Sequence, residues 1–345
     1  MNSGSRIYVA GHLGLVGSAL LRKLKQAGYL NLITRTHSEL DLTDQKAVGD
    51  FFKQEKPDYV FMAAAKVGGI RANSRFPVEL LHENLSIQNN VISAAYSHQV
   101  SKLLFLGSSC IYPKHSAQPI KESTLLTGSL EPTNEPYAIA KIAGLKLCEA
   151  YNQQYATNYI TLMPCNLYGP GDSFDLENSH VLPALIFKIV LAKLLSDQDQ
   201  QNAMKLAGYS DPVEFQKFLD HHAISHDHIT LWGTGQPRRE FLHSDDLAAA
   251  CIFAMEHYHV KTLTPAWMNV GSGVETTIQE LASLVKDLVG FEGDINFDPN
   301  YPDGTYRKLL DTTKINALGW RPTISLESGI QDVITRQFSP YLTNS

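Results

Sequence analysis

The sequence predicts an α/β protein with a doubly wound parallel sheet, and two features of its first half support this. Short apolar runs alternate with helical patterns, which is typical of parallel strands connected by helices on both faces of a sheet. A glycine-rich turn follows the first apolar run and opens a helix, as in a nucleotide-binding βα unit. With 345 residues, 43% of them hydrophobic and 19% charged, the chain can form one large domain or two modest ones.

The predicted elements follow the chain in order. In the first half, strands are predicted at 7–10, 32–34, 59–62, 102–107 and 159–163, and the helix after the glycine turn runs to about residue 27. In the second half, the predicted elements are a helix at about 180–195, a strand at 229–232, a helix at 245–258 and a last sheet strand at 268–270. The tail from about residue 276 has a mixed pattern.

These elements group into two predicted domains. The first is a Rossmann-type domain that comprises residues 1–168 and a returning segment at about 240–272. The second is a smaller C-terminal α/β domain that comprises 169–239 and 273–345. A polar segment at about 196–227 interrupts the second domain, and we interpret it as either a helical insertion or a mobile loop.

The glycine turn predicts a dinucleotide site. Glycine permits a tight turn and the close approach of a pyrophosphate, which then faces the free N–H groups and the positive end of the helix. The spacing is Gly-x-x-Gly-x-x-Gly rather than the stricter Gly-x-Gly-x-x-Gly, so its position after the first strand is the stronger evidence. The cofactor-binding residues predicted in this turn are Gly11, His12, Leu13, Gly14, Leu15, Val16 and Gly17.

The end of the second strand decides which nicotinamide cofactor fits. An acidic residue there binds a ribose 2′-hydroxyl, whereas a basic residue suits a 2′-phosphate. Arg35 and His37 stand at this point and favour NADP(H), while Glu39 is an acidic competitor further along. Three more residues are expected to border the adenine, the pyrophosphate or the ribose: Asp41, Leu42 and Ala64.

A second motif, downstream of the fourth strand, predicts redox chemistry. Tyr137 and Lys141 are four residues apart and share one helix face. The ammonium is expected to lower the pKa of the phenol from about 10 toward neutrality, so that tyrosine can donate and accept a proton. The upstream cluster of Ser108 and Cys110 supplies a hydroxyl for the same substrate oxygen. The pattern predicts hydride transfer to or from a carbon that bears oxygen.

Composition argues against several other classes of protein. The formal net charge of −6 argues against non-specific binding to nucleic acid. Four scattered cysteines indicate a reduced intracellular protein rather than a disulfide framework or a zinc site. The N-terminus is a short polar lead into a strand instead of a signal peptide, and no apolar run is long enough to span a bilayer. We therefore expect a cytoplasmic protein.

Longer strings resemble a known family. The glycine turn, the Tyr-x-x-x-Lys helix and the preceding serine resemble the extended short-chain dehydrogenases/reductases, and five strings resemble the GDP-L-fucose synthase family among them. The strings are Ala-Ala-Ala-Lys-Val-Gly-Gly-Ile at 63–70, Leu-Gly-Ser-Ser-Cys-Ile-Tyr-Pro at 106–113, Glu-Pro-Thr-Asn-Glu-Pro-Tyr-Ala-Ile-Ala-Lys at 131–141, Asn-Ser-His-Val-Leu-Pro at 178–183 and Trp-Gly-Thr-Gly-Gln-Pro-Arg-Arg-Glu-Phe at 232–241. The resemblance covers nearly the whole chain except 196–227.

The resemblance implies a reaction: GDP-4-keto-6-deoxy-D-mannose is epimerised at C3 and C5, and its C4 ketone is then reduced with NADPH to give GDP-L-fucose. It assigns to Cys110 and His180 the proton exchange at C3 and C5, whose protons are acidified by the ketone. It assigns to Tyr137, helped by Lys141 and Ser108, the enolate oxygen and the later protonation of the C4 alkoxide. His180 is expected to begin a helix, whose dipole would lower its pKa.

The resemblance also implies binding residues and a homodimer. Besides the turn, the cofactor is expected to contact Lys141, Pro164, Cys165, Asn166, Leu167 and His180. The GDP-sugar is expected to contact Lys188, Trp232, Arg239 and Asp303. Leu13 and His37 stand where some members of the family carry arginine, so the preference for NADPH is expected to be softer here.

Two alternatives stay open: one concerns the substrate, and the other concerns whether the protein is a catalyst. The enzyme could act on a related GDP-4-keto sugar, such as the 3,6-dideoxy precursor of colitose. A non-catalytic nucleotide-sugar-binding protein would be expected to have lost Tyr137, Lys141 or Ser108, and all three are present.

Histidines in and beside the 196–227 segment raise the question of a metal. Imidazole is a common metal ligand, and four histidines fall close together. They are His221, His222, His226 and His228. A flexible polar insertion is the preferred interpretation, and no metal is predicted. The segment lies just before the stretch expected to bind GDP, where it could act as a lid or add subunit contacts.

Overall fold

In the computed structural model of the protein, residues 1–68, 73, 75–177, 179–260 and 265–342 are described. Three residues of the strings quoted above therefore lie outside the described residues: Gly69, Ile70 and Asn178. The chain forms two units. Unit 1 comprises Met1–Leu167, Phe241–Gly273 and Leu309–Thr323, and unit 2 comprises Tyr168–Glu240, Val274–Lys308 and Ile324–Ser345.

The elements are numbered along the chain. The strands are β1 Ile7–Ala10, β2 Leu32–Ile33, β3 Tyr59–Met62, β4 Lys102–Leu106, β5 Tyr159–Pro164, β6 Asn166–Tyr168, β7 His228–Trp232, β8 Arg238–His243, β9 Trp267–Val270, β10 Glu275–Thr277, β11 Asp294–Asp298 and β12 Arg307–Lys308. The helices are α1 Leu15–Gln26, α2 Gln45–Glu55, α3 Pro77–Ser97, α4 Glu135–Tyr155, α5 Val181–Ser196, α6 Gln200–Ala207, α7 Pro212–His222, α8 Ser244–His257, α9 Ile278–Val289, α10 Thr313–Ala317 and α11 Leu326–Leu342.

Unit 1 contains the predicted parallel sheet. Within the described residues its six strands are all parallel and are ordered β2-β1-β3-β4-β5-β9. The chain leaves β1 toward one edge through β2 and returns to build the other side from β3 onward, which makes the sheet doubly wound. The predicted fold class is confirmed. Ligands of such sheets bind at the carboxyl ends of the strands where the winding reverses, here beside β1 and β3.

The core explains why both faces of the sheet are covered. In β1, Ile7 and Val9 belong to one buried cluster, whereas Tyr8 and Ala10 belong to another. Side chains alternate between the two faces of a strand, so a strand that is apolar at every position needs helices on both sides. Accordingly, α1 and α8 supply residues to the first cluster and α2 and α3 supply residues to the second.

The segment Leu309–Thr323 lies in unit 1, although the sequence analysis assigned 273–345 as one piece to the second domain. Two backbone hydrogen bonds hold it there. The N–H of Ile120 donates to the carbonyl of Leu309 at 2.7 Å, and the N–H of Asp311 donates to the carbonyl of Ile120 at 2.8 Å. This pairing joins residues that are far apart in the chain, so local sequence patterns do not reveal it.

Unit 2 is built from short strands and helices. Strands β10 and β12 flank β8, and β11 pairs in parallel with β7 so that Asp298 lies opposite Trp232. None of the helices in the described part of the chain has the length and hydropathy that a membrane crossing requires.

The polar segment 196–227 is helical, so the interpretation as a mobile loop is wrong. Asp211 begins α7, with its carboxylate accepting from the N–H of Val213 at 2.7 Å. Proline follows at the first helical position, which suits its fixed φ. Phe215 and Leu219, four residues apart on one face of α7, are buried, so this face of the helix is packed against other protein atoms.

Candidate active site

The glycine turn joins β1 to α1 and has no room for side chains. Gly11 has φ +79°, and a Cβ there would lie 2.7 Å from the Cα of Ala64, the residue predicted to pass the pyrophosphate. A Cβ on Gly17 would collide with the carbonyl oxygen of Gly11. Gly14 is the N-cap of α1, and the first turn of that helix carries no acidic side chain. The backbone amides at the start of α1 therefore form a cradle that fits a pyrophosphate.

A polar atom beside this cradle fits a bound ligand. Within the described residues, Nδ1 of His12 is buried and has no hydrogen-bond partner. Buried polar atoms nearly always have partners, so an orphan atom beside a glycine turn is consistent with a cofactor contact. The neighbouring Leu13 is 71% exposed and brings no charge to that contact.

The end of β2 carries the basic residues predicted to select the cofactor. The guanidinium of Arg35 lies 2.5 Å from a carboxylate oxygen of Glu55 and 5.3 Å from the centroid of the Phe51 ring. His37 has an 85% exposed side chain, and its Nδ1 is 4.0 Å from a carboxylate oxygen of Asp41. A positive charge is thus present, but Glu55 offsets part of it. The sequence analysis did not identify Glu55, because twenty residues separate it from Arg35.

Glu39, the acidic competitor, is engaged locally. Its carboxylate accepts from the N–H of Thr36 at 2.7 Å and from its hydroxyl at 2.8 Å, and these bonds lower the pKa of Glu39. Asp41 likewise accepts from the N–H and hydroxyl of Thr43, both at 2.8 Å, and its pKa is also lowered. Both carboxylates stabilise turns after β2.

The other predicted cofactor residues lie near the carboxyl ends of the strands. Asn90 donates to the carbonyl of Leu42 at 2.9 Å. Pro164 ends β5, and Cys165 follows it with its N–H donating to the carbonyl of Val270 at 2.9 Å. Asn166 and Leu167 open β6. Asn84 was not predicted, although its buried amide bonds to both the N–H and the carbonyl of Lys66, each at 2.9 Å, and fixes the loop after β3.

The predicted catalytic residues of unit 1 come together where β4 meets α4. Ser108 follows β4, and its hydroxyl oxygen accepts from the N–H of Cys110 at 3.3 Å to start a short 3₁₀ turn. Cys110 is buried in the core cluster against which Tyr137 packs, and a thiolate at Cys110 would raise the pKa values of both Tyr137 and Lys141. The Lys141 Nζ donates to the carbonyl of Leu106 at 2.8 Å and lies 5.7 Å from the centroid of the Tyr137 ring.

The expected lowering of the Tyr137 pKa is wrong. Partial burial raises the pKa of Tyr137, and a thiolate at Cys110 would raise it further. Burial also lowers the pKa of Lys141 to about 8, so the ammonium loses its proton more readily here than in water. The side chain of Tyr137 is therefore a neutral phenol, which suits it as a proton donor.

Two neighbours that the sequence analysis did not identify fix the position of α4. Gln88 is buried on α3 and donates to the carbonyl of Ala140 at 2.7 Å, next to Lys141. A Cβ on Gly144 would lie 2.5 Å from the Phe105 ring and 2.7 Å from the Gln88 amide oxygen, so only glycine allows this close packing. A glutamine and a glycine within helices do not reveal from the sequence alone that they position α4.

His180 is the N-cap of α5 in unit 2. It therefore lies at the start of a helix, as predicted. Although the residue is exposed to solvent on one side, its pKa is lowered, first by the protein atoms packed around the ring and second by the positive charge of Lys308. The neutral imidazole is favoured, and it can accept a proton.

The residues predicted to hold the GDP-sugar lie around β7 and the turn that follows it. The Nζ of Lys188 donates to the carbonyl of Thr230 at 2.5 Å, and burial lowers its pKa to about 8. Trp232 is 56% exposed and stacks on Tyr301, with ring centroids 4.5 Å apart and planes 8° from parallel. This exposed pair of rings offers a flat surface for a base.

Asp303 and Arg239 complete this cluster. The carboxylate of Asp303 accepts from the N–H and the hydroxyl of Thr234 at 2.9 and 2.7 Å, which lowers its pKa. A Cβ on Gly233, whose φ is +83°, would collide with that carboxylate. A Cβ on Gly304 would lie 3.1 Å from a terminal guanidinium nitrogen of Arg239. Burial lowers the pKa of Arg239, and the charge of Asp303 opposes that shift.

Asp172, in the loop before His180, is a buried carboxyl without a complete set of partners. Its Oδ1 accepts from the N–H of Ser173 at 2.8 Å, whereas no described residue bonds to its buried Oδ2. Burial raises the pKa of Asp172 from 3.8 to about 6. The folded state therefore holds this proton more tightly than the unfolded state, and the free energy of unfolding falls as the pH rises from about 4 to about 6.

Replacing Asp172 with asparagine is expected to stabilise the protein at pH 8 by about 1–3 kcal/mol, because the variant no longer buries a charge. The gain in stability should shrink at pH 5, where the Asp172 carboxyl of the folded wild type is largely protonated. Urea unfolding followed by circular dichroism at the two pH values measures both gains. The exposed Asp287→Asn serves as the control, and a variant less stable than wild type at pH 8 would contradict the assignment.

Comparisons with known proteins identify the family to which the chain belongs. Residues 7–271 match the NAD dependent epimerase/dehydratase family. The chain is 51% identical to "Putative GDP-L-fucose synthase 2" of Arabidopsis thaliana, covering 100% of this chain and 94% of that protein. It is 48% identical to GDP-L-fucose synthase of Escherichia coli, covering 95% of each. It also resembles the solved structure of MlghC, a GDP-mannoheptose C4 reductase from Campylobacter jejuni with NADP bound, at 42% identity and TM-score 0.88, covering 96% of this chain and 98% of that one.

Proposed function

Because the chain belongs to the NAD-dependent epimerase/dehydratase family, we propose that it converts GDP-4-keto-6-deoxy-D-mannose to GDP-L-fucose by 3,5-epimerisation and NADPH-dependent reduction of C4. The observation that carries the proposal is that Tyr137 packs against the core cluster that contains Cys110, with the Lys141 Nζ 5.7 Å from the centroid of the Tyr137 ring. Reduction alone needs the tyrosine and the lysine, whereas epimerisation also needs a thiol beside them. Full-length relatives that are about half identical to the chain and are named GDP-L-fucose synthases support the same activity.

For the reduction, NADPH supplies the hydride that adds to C4 when it is bound. The protein must then deliver a proton to the C4 oxygen. Tyr137 is placed for this, because burial keeps its phenol protonated until an alkoxide forms beside it. The Ser108 hydroxyl donates a hydrogen bond to the same oxygen, and Lys141, held by the carbonyl of Leu106, positions the phenol and the ribose end of the cofactor.

For the epimerisation, the ketone at C4 acidifies the protons on C3 and C5. Each centre requires a base that removes one proton and an acid that returns another to the opposite face. We assign these roles to Cys110 and His180. The lowered pKa of His180 keeps its imidazole neutral and able to accept a proton. Tyr137 stabilises the enolate oxygen between the two proton transfers.

Unit 2 holds the GDP part of the substrate in this proposal. The exposed face of Trp232, backed by Tyr301, suits stacking against guanine. The guanidinium of Arg239 suits the diphosphate because its donors form a planar fork. Lys188 supplies a further cation, and Asp303 fixes the turn through Thr234.

NADPH is preferred to NADH in this proposal. Arg35 brings a cation to the end of β2, while Glu39 is occupied by Thr36 and does not offer its carboxylate to a 2′-hydroxyl. The preference is expected to be moderate, because Glu55 offsets the charge of Arg35 and Leu13 carries none. The similar structure that contains NADP supports this order.

We also propose a homodimer. An aromatic patch on the outer side of α3 and α4 supports it. Tyr96 and Tyr155 are both exposed, and their rings stack with centroids 4.4 Å apart. Exposed, rigid aromatic pairs are typical of protein interfaces.

A second candidate is simple C4 reduction of a related GDP-keto sugar, including a GDP-heptose. It is favoured by the similarity to the GDP-mannoheptose C4 reductase, which extends over 98% of that chain. Such an enzyme would not require proton exchange at C3 and C5.

One assay distinguishes the candidates. The purified protein is incubated with GDP-4-keto-6-deoxymannose in D₂O with NADPH or NADH, and the product is identified by NMR. We expect GDP-L-fucose with deuterium at C3 and C5, formed faster with NADPH than with NADH at equal concentration. A product that keeps the configuration and the protons of the substrate at C3 and C5 would support the second candidate instead.

A further inference from the structure

A cluster of three potential metal ligands lies outside the proposed active site, in unit 2. Glu177, His221 and His222 each offer one ligand atom, and these atoms all lie within 4.8 Å of one another. The histidines are the last two residues of α7, whereas Glu177 lies in the loop that leads to His180. We propose that these three side chains bind a divalent transition-metal ion of the Zn²⁺ type.

Two of the three separations in the cluster are close to those between ligands of one metal ion. The Nε2 atoms of His221 and His222 lie 3.6 and 3.4 Å from the same carboxylate oxygen of Glu177. A hydrogen bond between nitrogen and oxygen would be about 2.7–3.2 Å long. Two ligands on a tetrahedral zinc ion, with bonds of about 2.0–2.1 Å, are about 3.3–3.5 Å apart. The two separations therefore match the edges of a zinc tetrahedron better than hydrogen bonds.

Packing constrains the His222 ring before any ion binds, whereas the His221 side chain is 66% exposed. The His222 ring packs on Phe218 with centroids 4.6 Å apart, and the two histidine rings meet edge to face at 4.8 Å. His222 has only a 13% exposed side chain, so little rotamer freedom is lost on binding. A site whose ligands are already positioned binds more tightly than one that must be assembled.

The ligand set favours zinc over magnesium or calcium. Two imidazoles and one carboxylate suit borderline transition ions, while magnesium and calcium prefer oxygen ligands. Three protein ligands leave a fourth position for water or an anion. The three ligand side chains line a cavity of about 570 Å³ together with the aromatic rings of Phe174, Phe187, Tyr209 and Phe218.

This inference revises the expectation that no metal binds. The sequence analysis considered four histidines that lie close together in the chain. Within the described residues, the structure groups only the first two of them with Glu177. His228 instead has its Nδ1 2.8 Å from a carboxylate oxygen of Asp227. The third ligand comes from outside the 196–227 segment. A bound ion would tie α7 to the loop that carries His180.

The test measures metal uptake directly. Tag-free, full-length protein is titrated with Zn²⁺ by calorimetry and with Co²⁺ by visible absorption, which reports tetrahedral coordination. We expect one ion per chain, and we expect Glu177→Gln and His222→Asn each to weaken binding at least about tenfold. His226→Asn, which changes a histidine in the same insertion outside the cluster, should bind like wild type.

Two results would overturn the proposal. One is no uptake by wild type at micromolar metal, which would mean that the cluster is an imidazolium–carboxylate ion pair. The other is unchanged affinity in Glu177→Gln, which would mean adventitious binding by surface histidines. Circular dichroism verifies folding, and the more exposed His221→Asn replaces His222→Asn if that variant does not fold. Since the readout is metal binding, it is independent of the proposed reaction.

Discussion

Tyr137→Phe is expected to lower the rate of C4 reduction by about 10²–10⁴-fold, the usual contribution of a positioned general acid. The variant keeps the ring that packs beside Lys141 and removes only the hydroxyl. Without this hydroxyl, the proposed mechanism has no residue that protonates the C4 oxygen. Single-turnover oxidation of NADPH, followed by its absorbance with the 4-keto sugar present, measures the loss.

The matched control is Tyr155→Phe, because Tyr155 lies on the same helix and is exposed at its far end. It should reduce the substrate like wild type. Binding of NADPH to Tyr137→Phe, measured by fluorescence, should stay within a few-fold of wild type, since the glycine turn is untouched. Normal turnover by Tyr137→Phe would remove this residue from the mechanism.

Cys110→Ser is expected to suppress solvent deuterium exchange at C3 and C5 by about 10²–10⁴-fold. Serine preserves the shape of the side chain, but its hydroxyl is far less acidic than a thiol and a poor proton shuttle near neutral pH. Incubation of the 4-keto sugar in D₂O without NADPH isolates this half of the reaction, and NMR follows the label.

The control for the loss of a thiol is Cys148→Ala. Cys148 is buried on α4 but belongs to a different core cluster from Cys110, so its loss should cost stability and leave exchange in place. Exchange by Cys110→Ser at the wild-type rate would refute the assignment of Cys110. The two variants should also differ from each other: Tyr137→Phe should keep more exchange than reduction, whereas Cys110→Ser should bind NADPH normally but release no epimerised product.

The doubly wound sheet was predictable from sequence because its determinants are local. β1 is apolar at all four positions, so both of its faces must be covered, and the chain between strands has the length of a helix. The glycine turn was also predictable from the sequence, because only glycine suits these positions. Gly11 has φ +79°, and a Cβ on Gly17 would collide with the carbonyl oxygen of Gly11. The short strands of unit 2 were not predicted, because runs such as Arg307–Lys308 carry no period and exist only through pairing with β8.

The environment of each site residue was not predictable in the same way. The spacing of Tyr137 and Lys141 placed them on one face of a helix, but it gave the wrong direction for the phenol pKa. Desolvation depends on residues from β4 and α3 that pack around the pair, including Phe105 and Gln88. Spacing along one helix contains no information about them.

The sequence by itself determined the fold class, the position of the glycine cradle, and the residues that carry the proposed redox and acid–base chemistry. The tertiary structure alone decided that the pKa of Tyr137 is raised rather than lowered, that Glu55 pairs with Arg35, and that Glu177 lies beside two histidines at the end of α7. The physical reason is range. Turns and helix faces are set by bonds and neighbours within a few residues, whereas desolvation, charge and ligand geometry act through space between segments that only folding brings together.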